Sequence, residues 1–562
     1  MDRLIECVPN FSEGRDMDVI KRITDAIEAV DGVSLLDVDP GAATNRTVVT
    51  FVGSPEAVIN AAVVAGKLSA ELIDMSKHRG EHPRFGAMDV CPLVPIAGVT
   101  MEETAEYARE LARRLGEEAG LTIYCYENAA LKPDRQNLAN VRRGEYEALK
   151  DRLQDPQWAP DFGPTQFQPG TGATAVSARD FLVAYNVNLN TTSSRRANAI
   201  AFDVREKGRI RREPCILTGE VVRDADGKPE WIPGSLKSVK GIGWFIEEFG
   251  ICQVSMNLTN VSVTPTHVAF DEVSEKARLR GIRVTGSELV GLIPLSAMLD
   301  AGRYFLRKQQ RSTGVSDAEL IKIAVKSMGL DELYPFKPEE KIIEYVLAAQ
   351  SDRKLLVDLS LKGFVEETAS ESPAPGGGSV AAALGALGSA LGTMVANLSS
   401  HKRGWDSKWE EYSDWAERGK ACHRELLALI DRDTDAFNAI MATWKMPSKT
   451  AEQKAAKEAA TQAAVHQAIA IPFRIMEVAL ESMEVTSTMV DKGIQASISD
   501  SGVAALCARS AVMGAYLNVR VNSGDLSDEV VRQDFLDRGA KLQEQAIELE
   551  REILQRVNKA FE

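Results

Sequence analysis

Residues 33–52, Val33-Ser-Leu-Leu-Asp-Val-Asp-Pro-Gly-Ala-Ala-Thr-Asn-Arg-Thr-Val-Val-Thr-Phe-Val52, decide the fold class of the first half of the chain. Two strand-like runs, 33–39 and 47–52, follow one another directly through a turn containing Pro40 and Gly41. So short a connection makes a hairpin and antiparallel pairing, because a parallel pair needs a long crossover. Outward from it, Leu4 to Val8 and Thr122 to Tyr126 read as strands, and Met17 to Val30, Glu56 to Met75 and Met101 to Gly116 as helices. The class is α+β with a split βαβ layout, not a doubly wound sheet.

A similar order recurs after the Pro/Gly-rich stretch 156–172. Strand Phe181 to Asn188, helix Thr192 to Glu206, strands Val239 to Glu247 and Ile251 to Asn260, and helix Pro265 to Arg280 predict a second unit of the same ferredoxin-like sandwich kind. Ligands of such pairs tend to sit between the units. Arg209 to Pro233, charged and broken by Gly and Pro, reads as a surface hairpin or loop. Helices at 317–328 and 337–347 lead into an Ala-rich region without strand patterning, which reads from about Lys354 as an all-α helical bundle. The expected division is 1–178, 179–330, a helical linker 331–353, and 354–562.

Composition narrows the function classes. The chain has 562 residues, 44% hydrophobic and 26% charged, close to globular averages. A net charge of -15 argues against nucleic acid as a partner, since that binding rests on clustered cations that displace counterions. Lys77, Arg79 and Arg84 still make a local candidate for receiving an anionic small molecule. Seven cysteines without CxxC pairing fit reduced thiols. The stretch Met1 to Glu13 has acidic residues and no apolar h-region, so a cytoplasmic protein is expected. Ser372 to Ser400 carries no charge, but its Ala, Gly and Ser content suits a buried helix better than a membrane span.

Two places look chemical. The loop 75–89 places His78 and His82 among ionisable residues, and a histidine can take a proton from an attacking amine and return it to a leaving nitrogen. Exposed histidines on a surface loop suit the same pattern. No third ligand at metal-binding spacing accompanies them, and Pro83 opposes a zinc-binding helix, so no metal is expected. Asp37 and Asp39 share one face of their strand, where they would orient a histidine or a cationic substrate, or simply cap a turn.

In the second half, Pro375-Gly-Gly-Gly-Ser-Val380 opens a helix, and Gly385, Gly388 and Gly392 would let another helix approach closely. On the next helix, Leu426, Leu429, Ile430, Phe437, Ile440 and Met441 form an apolar stripe at helical spacing around Asp433. A carboxylate there is either a satisfied structural group or a functional one. Asp431 and Asp435 fall on another face and read as solvated.

Val8-Pro-Asn-Phe-Ser-Glu-Gly14, Leu36-Asp-Val-Asp39, Thr44-Asn-Arg-Thr-Val48, Gly80-Glu-His-Pro-Arg84 and Asp89-Val-Cys-Pro92 together resemble glutamate formimidoyltransferase over about the first 330 residues. The resemblance implies that His82 is the catalytic acid/base. It also implies that Asp161 to Ala173 is the folate-binding segment, with contacts across Gly163, Pro164, Thr165, Gln166, Phe167, Gln168, Pro169, Gly170, Thr171 and Gly172. The second half resembles formimidoyltetrahydrofolate cyclodeaminase through Ala374-Pro-Gly-Gly-Gly-Ser-Val-Ala-Ala382, the Asp431 to Phe437 segment, Ser499-Asp500, Tyr516-Leu-Asn518 and Asn522, which implies that Asp433 is catalytic.

The whole chain is thus similar to the bifunctional formimidoyltransferase-cyclodeaminases. That similarity implies formimidoylglutamate and a polyglutamylated tetrahydrofolate as substrates, no metal, and a homo-oligomer, commonly an octamer. Arg209 to Pro233 is longer than that family leads one to expect. Two other readings keep the fold: a front half that prefers a formyl donor, and one half acting as a noncatalytic folate-binding scaffold.

Overall fold

A computed structural model describes residues 3–42, 45–80, 84–216, 218–350 and 354–562. Its contacts divide the chain into two compact units. One takes in the chain up to Ala297 together with Met328–Gln350, and the other Met298–Ser327 with the C-terminal region to Glu562.

In the first unit the hairpin forms as its sequence dictates. Strands Val33–Gly41 and Arg46–Gly53 pair antiparallel, and Thr47, Val49 and Phe51 bury one face of the second strand. Asn45, at φ 50°, turns the tip, a conformation asparagine tolerates better than most residues. Helix Met17–Glu28 starts at an Asp16 cap, Pro55–Leu72 at Ser54, and Met101–Glu118 at a capping box of Thr100 and Glu103.

Across the first sheet the order is Val33–Gly41, Arg46–Gly53, the interrupted pair Leu4–Cys7 and Asn10–Phe11, Met88–Ala97, Ala173–Ala178 and Thr122–Glu127. The second sheet runs Val239–Ile246, Ile251–Leu258, Val183–Leu189, Val284–Val290, antiparallel throughout. Both contain a β-α-β-β-α-β run whose strands lie side by side in the order second, third, first, fourth.

The first sheet differs from expectation in being mixed. Ala173–Ala178 pairs parallel with both Met88–Ala97 and Thr122–Glu127. Neither Met88–Ala97 nor Ala173–Ala178 shows alternation, because strands covered on both faces are apolar at every position. Pro92 and Pro95 hid the first of them further. The stretch after Val204 is indeed a hairpin: Arg209–Ile210 pairs with Trp231–Ile232, and Arg212–Glu213 with Glu220–Val221.

The second unit contains five long helices, Gly377–Ser400, Trp409–Trp444, Ala451–Lys492, Ile498–Ser523 and Glu529–Lys559. Small residues set the helix spacing. A Cβ on Gly388 would come within 2.8 Å of the Ala504 carbonyl oxygen and 2.9 Å of Cys507 Cβ, so the first and fourth of these helices touch nearly backbone to backbone. Three helices here are long and apolar enough to cross a membrane, and Gly377–Ser400 buries 61% of its apolar window against its neighbours.

Candidate functional sites in the two units

The loop after helix Pro55–Leu72 is pinned at both ends to the segment 163–172. At one end the Met75 amide donates to the Gly170 carbonyl at 2.8 Å. At the other, the Ala87 amide donates to Thr171 O and the Ala173 amide to Phe85 O, at 2.8 and 3.0 Å. His82, with Glu81 and Pro83, lies outside the described residues, yet the chain on either side of it is fixed against the segment named as its partner in binding. Gly163, Thr165, Gln166, Gln168 and Pro169 of that segment are exposed, while Phe167 packs its ring 5.6 Å from Tyr146. Gly163 has φ 80°, and a Cβ there would meet Leu121 O at 1.9 Å, so only glycine fits.

His78 has a different position. It is buried, and its Nε2 donates to the Asn45 carbonyl at 2.8 Å. Asn45 in turn donates to Arg79 O and accepts the Gly14 amide. His78 thereby fastens the hairpin tip beside the loop. Asp37 and Asp39 lie exposed on one face of their strand, as their spacing predicts.

The basic trio is not a free anion pocket. Arg84 donates to the Met75 and His78 carbonyls, pairs with Glu147 at 2.9 Å and stacks over Tyr146, so it clasps its own loop. Lys77 pairs with Asp74, and Arg79 donates to His78 O. Sequence reasoning missed a buried charge cluster behind the loop. Asp89 accepts the Phe85 amide at 2.8 Å and Arg142 Nη1 at 2.6 Å, with Arg46 at 3.6 Å. Arg142 also lines a cleft of about 690 Å³ with Glu127, Gln136, Glu145 and, from the second sheet, Lys240. Glu127 belongs to the first sheet and Lys240 to the second, so residues of both sheets line this cleft.

In the helical unit the residues picked from sequence come together. Asp433 is half-buried and shares a cavity of about 110 Å³ with Gly376, Gly377, Gly378, Phe437, Asn518 and Asn522. Burial pushes its carboxyl above the usual carboxylate range, and the Ser379 hydroxyl, donating to Oδ2 at 2.9 Å, offsets part of that. Ser379 carries no sequence signal of its own, because a serine directly after a glycine run reads as part of the helix start. Asn518 and Asn522 are held by carbonyls of Gly514 and Ala468 at 2.9 and 2.7 Å. Asp431 departs from expectation: it is half-buried and accepts the Leu356 amide at 2.7 Å. Asp500 is absent from the cavity lining.

The glycine at 378 is obligatory for this geometry. A Cβ there would sit 2.1 Å from Asp433 Oδ1. Gly378→Ala is therefore expected to displace the carboxylate and cut the activity of this cavity by about a hundredfold, while the first unit's activity stays unchanged. Separate assays of the two activities on the purified variant check this.

Comparison with known sequences bears on both units. Models of the formiminotransferase domain match residues 4–179 (N-terminal subdomain) and 184–348, and a formiminotransferase-cyclodeaminase model matches 360–541. A formimidoyltransferase-cyclodeaminase of Mus musculus is 42% identical over 97% of this chain and 97% of its own. The chain belongs to the formimidoyltransferase-cyclodeaminase family. Each half of this formimidoyltransferase-cyclodeaminase family member also has single-unit relatives. A glutamate formimidoyltransferase of Thermoplasma acidophilum is 42% identical over 54% of this chain and 92% of its own. A methenyltetrahydrofolate cyclohydrolase of Methylorubrum extorquens is 34% identical over 32% of this chain and 85% of its own.

Proposed function

We propose that each unit of this chain carries one reaction. The first transfers the formimidoyl group of N-formimidoyl-L-glutamate to N5 of tetrahydrofolate. The second cyclises 5-formimidoyltetrahydrofolate to 5,10-methenyltetrahydrofolate and releases ammonia. The observation that carries this reading is the cavity in which Asp433, partly desolvated, faces the glycine run and two fixed asparagine side chains.

In the transfer, N5 attacks the formimidoyl carbon and gives a tetrahedral centre bearing several nitrogens. His82 takes the proton from the attacking nitrogen and returns it to the departing glutamate nitrogen. Asp39, exposed on the strand leading to the hairpin tip, orients that histidine or the cationic formimidoyl group. The folate rests on residues 163–172 and reaches toward the cleft that Arg142 and Lys240 line. In the cyclisation, N10 attacks the same carbon, Asp433 accepts the N10 proton and delivers it to the amine, and ammonia leaves a cationic methenyl bridge that the carboxylate stabilises.

On the same reading the protein acts in histidine degradation and one-carbon metabolism, in the cytoplasm, as an octameric homo-oligomer that takes polyglutamylated folate. The two β-α-β-β-α-β runs are read as a pair of ferredoxin-like sandwiches, the first extended by two parallel strands. Comparing donors tests the transfer: formimidoylglutamate should be used at least about tenfold better in kcat/KM than formylglutamate. A preference for the formyl donor would overturn it.

The pH profile supplies a further prediction. The carboxylate form of Asp433 starts the cyclisation, so the rate falls as pH drops through its raised pKa. The Ser379 hydrogen bond favours the ionised form and holds that pKa down. Ser379→Ala should therefore move the acidic limb of cyclisation to higher pH, with no displacement of the transferase profile.

A further inference from the structure

One cavity lies apart from both sites. It encloses about 660 Å³ and is walled by helix Ser194–Val204 and the 209–232 hairpin, and it includes no residue of the loop 75–87, the segment 163–172 or the Asp433 cavity. Arg195, Arg205, Arg209 and Arg212 line it with Phe202 and Trp231, and its lining has no carboxylate. Four guanidiniums around one hollow are unusual in a chain of net charge -15.

Their partners show how the charge is left over. Arg209 pairs with Asp203, but Asp203 is shared with Arg280. Arg205 donates to the carbonyls of Gly208 and Gly241 and lies over the Phe202 ring, and Arg212 donates to Gly219 O. Neither these two nor the exposed Arg195 has a carboxylate partner among the described residues. Arg209 is only 6% exposed and its Nε has no hydrogen-bond partner among the described residues, so a buried donor of the lining stands unsatisfied. The hairpin that forms the outer wall is fixed in place. Gly208 has φ 68°, and a Cβ on it would meet Ile232 O at 1.9 Å.

We propose that this cavity binds a small polyanion, a molecule with two or more phosphate or carboxylate groups that Arg195, Arg205 and Arg212 hold. Planar guanidiniums pair with both oxyanions through two parallel hydrogen bonds, and the volume suits a small organic ligand. The site is independent of the two catalytic assignments, because binding itself is the readout.

The test titrates the full chain calorimetrically with inorganic tripolyphosphate in one arm and citrate in the other, at about 0.15 M salt to screen diffuse attraction. Wild type and an Arg195→Ala, Arg212→Ala double variant are compared. Among the described residues Arg195 has no partner to lose, and Arg212 loses one carbonyl, so the unliganded melting temperature should not change. Saturable one-to-one binding, weakened about tenfold or more in the double variant, is the expected result. Binding in the phosphate arm alone, the carboxylate arm alone, or both supports the site and names its chemistry. No saturable binding in either arm, or equal affinity in the two proteins, overturns it. Should the double variant melt early, Arg195→Glu serves in its place, with the same two outcomes.

Discussion

Asp433→Asn is expected to lower the rate of ammonia release by about a thousandfold, with formimidoyl transfer staying within about twofold of wild type. The substitution keeps the shape of the side chain and its hydrogen bond from the Ser379 hydroxyl, so packing among Gly376, Gly378 and Phe437 should survive. What it removes is the capacity to accept and return a proton, and the negative charge opposite the developing cation. A partly desolvated carboxylate interacts more strongly with such a cation than an exposed one would, which is why the loss should exceed that of a surface group. Rapid-mixing assays of methenyltetrahydrofolate formation, with 5-formimidoyltetrahydrofolate supplied directly, isolate this step from transfer. A variant that cyclises at the wild-type rate would leave Asp433 a structural carboxylate.

The legibility of these features in the sequence followed their physical visibility. The hairpin could be read because Pro40-Gly41 marks the turn and its strands carry β-branched and apolar residues. Val284–Val290, partly polar and on a sheet edge, and Ala173–Ala178, small and buried throughout, carry no comparable signature. Asp433 stood out because a charge on an apolar stripe is costly unless it is employed. Ser379 did not, since a serine behind three glycines looks like helix-start chemistry until Trp409–Trp444 is laid against it. Arg84 misled for the opposite reason: guanidinium chemistry suits a carboxylate ligand equally well as the two carbonyls and Glu147 it actually holds.

His82→Ala is expected to reduce formimidoyl transfer by about a thousandfold and leave cyclisation of supplied 5-formimidoyltetrahydrofolate intact. The chain before His82 is pinned by Met75 to Gly170, the chain after it by Phe85 and Ala87 to Ala173 and Thr171, and Asp89 holds the Phe85 amide from below. Removal of one imidazole should therefore cost proton transfer while the loop keeps its place, so kcat should fall far more than KM rises. Because the alanine variant lacks a base and an acid at once, added imidazole should restore part of the lost rate, whereas a loop that had merely collapsed would not respond. His78→Ala makes the contrast: its Nε2 supports the Asn45 carbonyl, so its loss should lower the melting temperature as well as the rate, and imidazole should not repair it. Equal losses with equal rescue at both positions would mean that proton transfer is not assigned to His82.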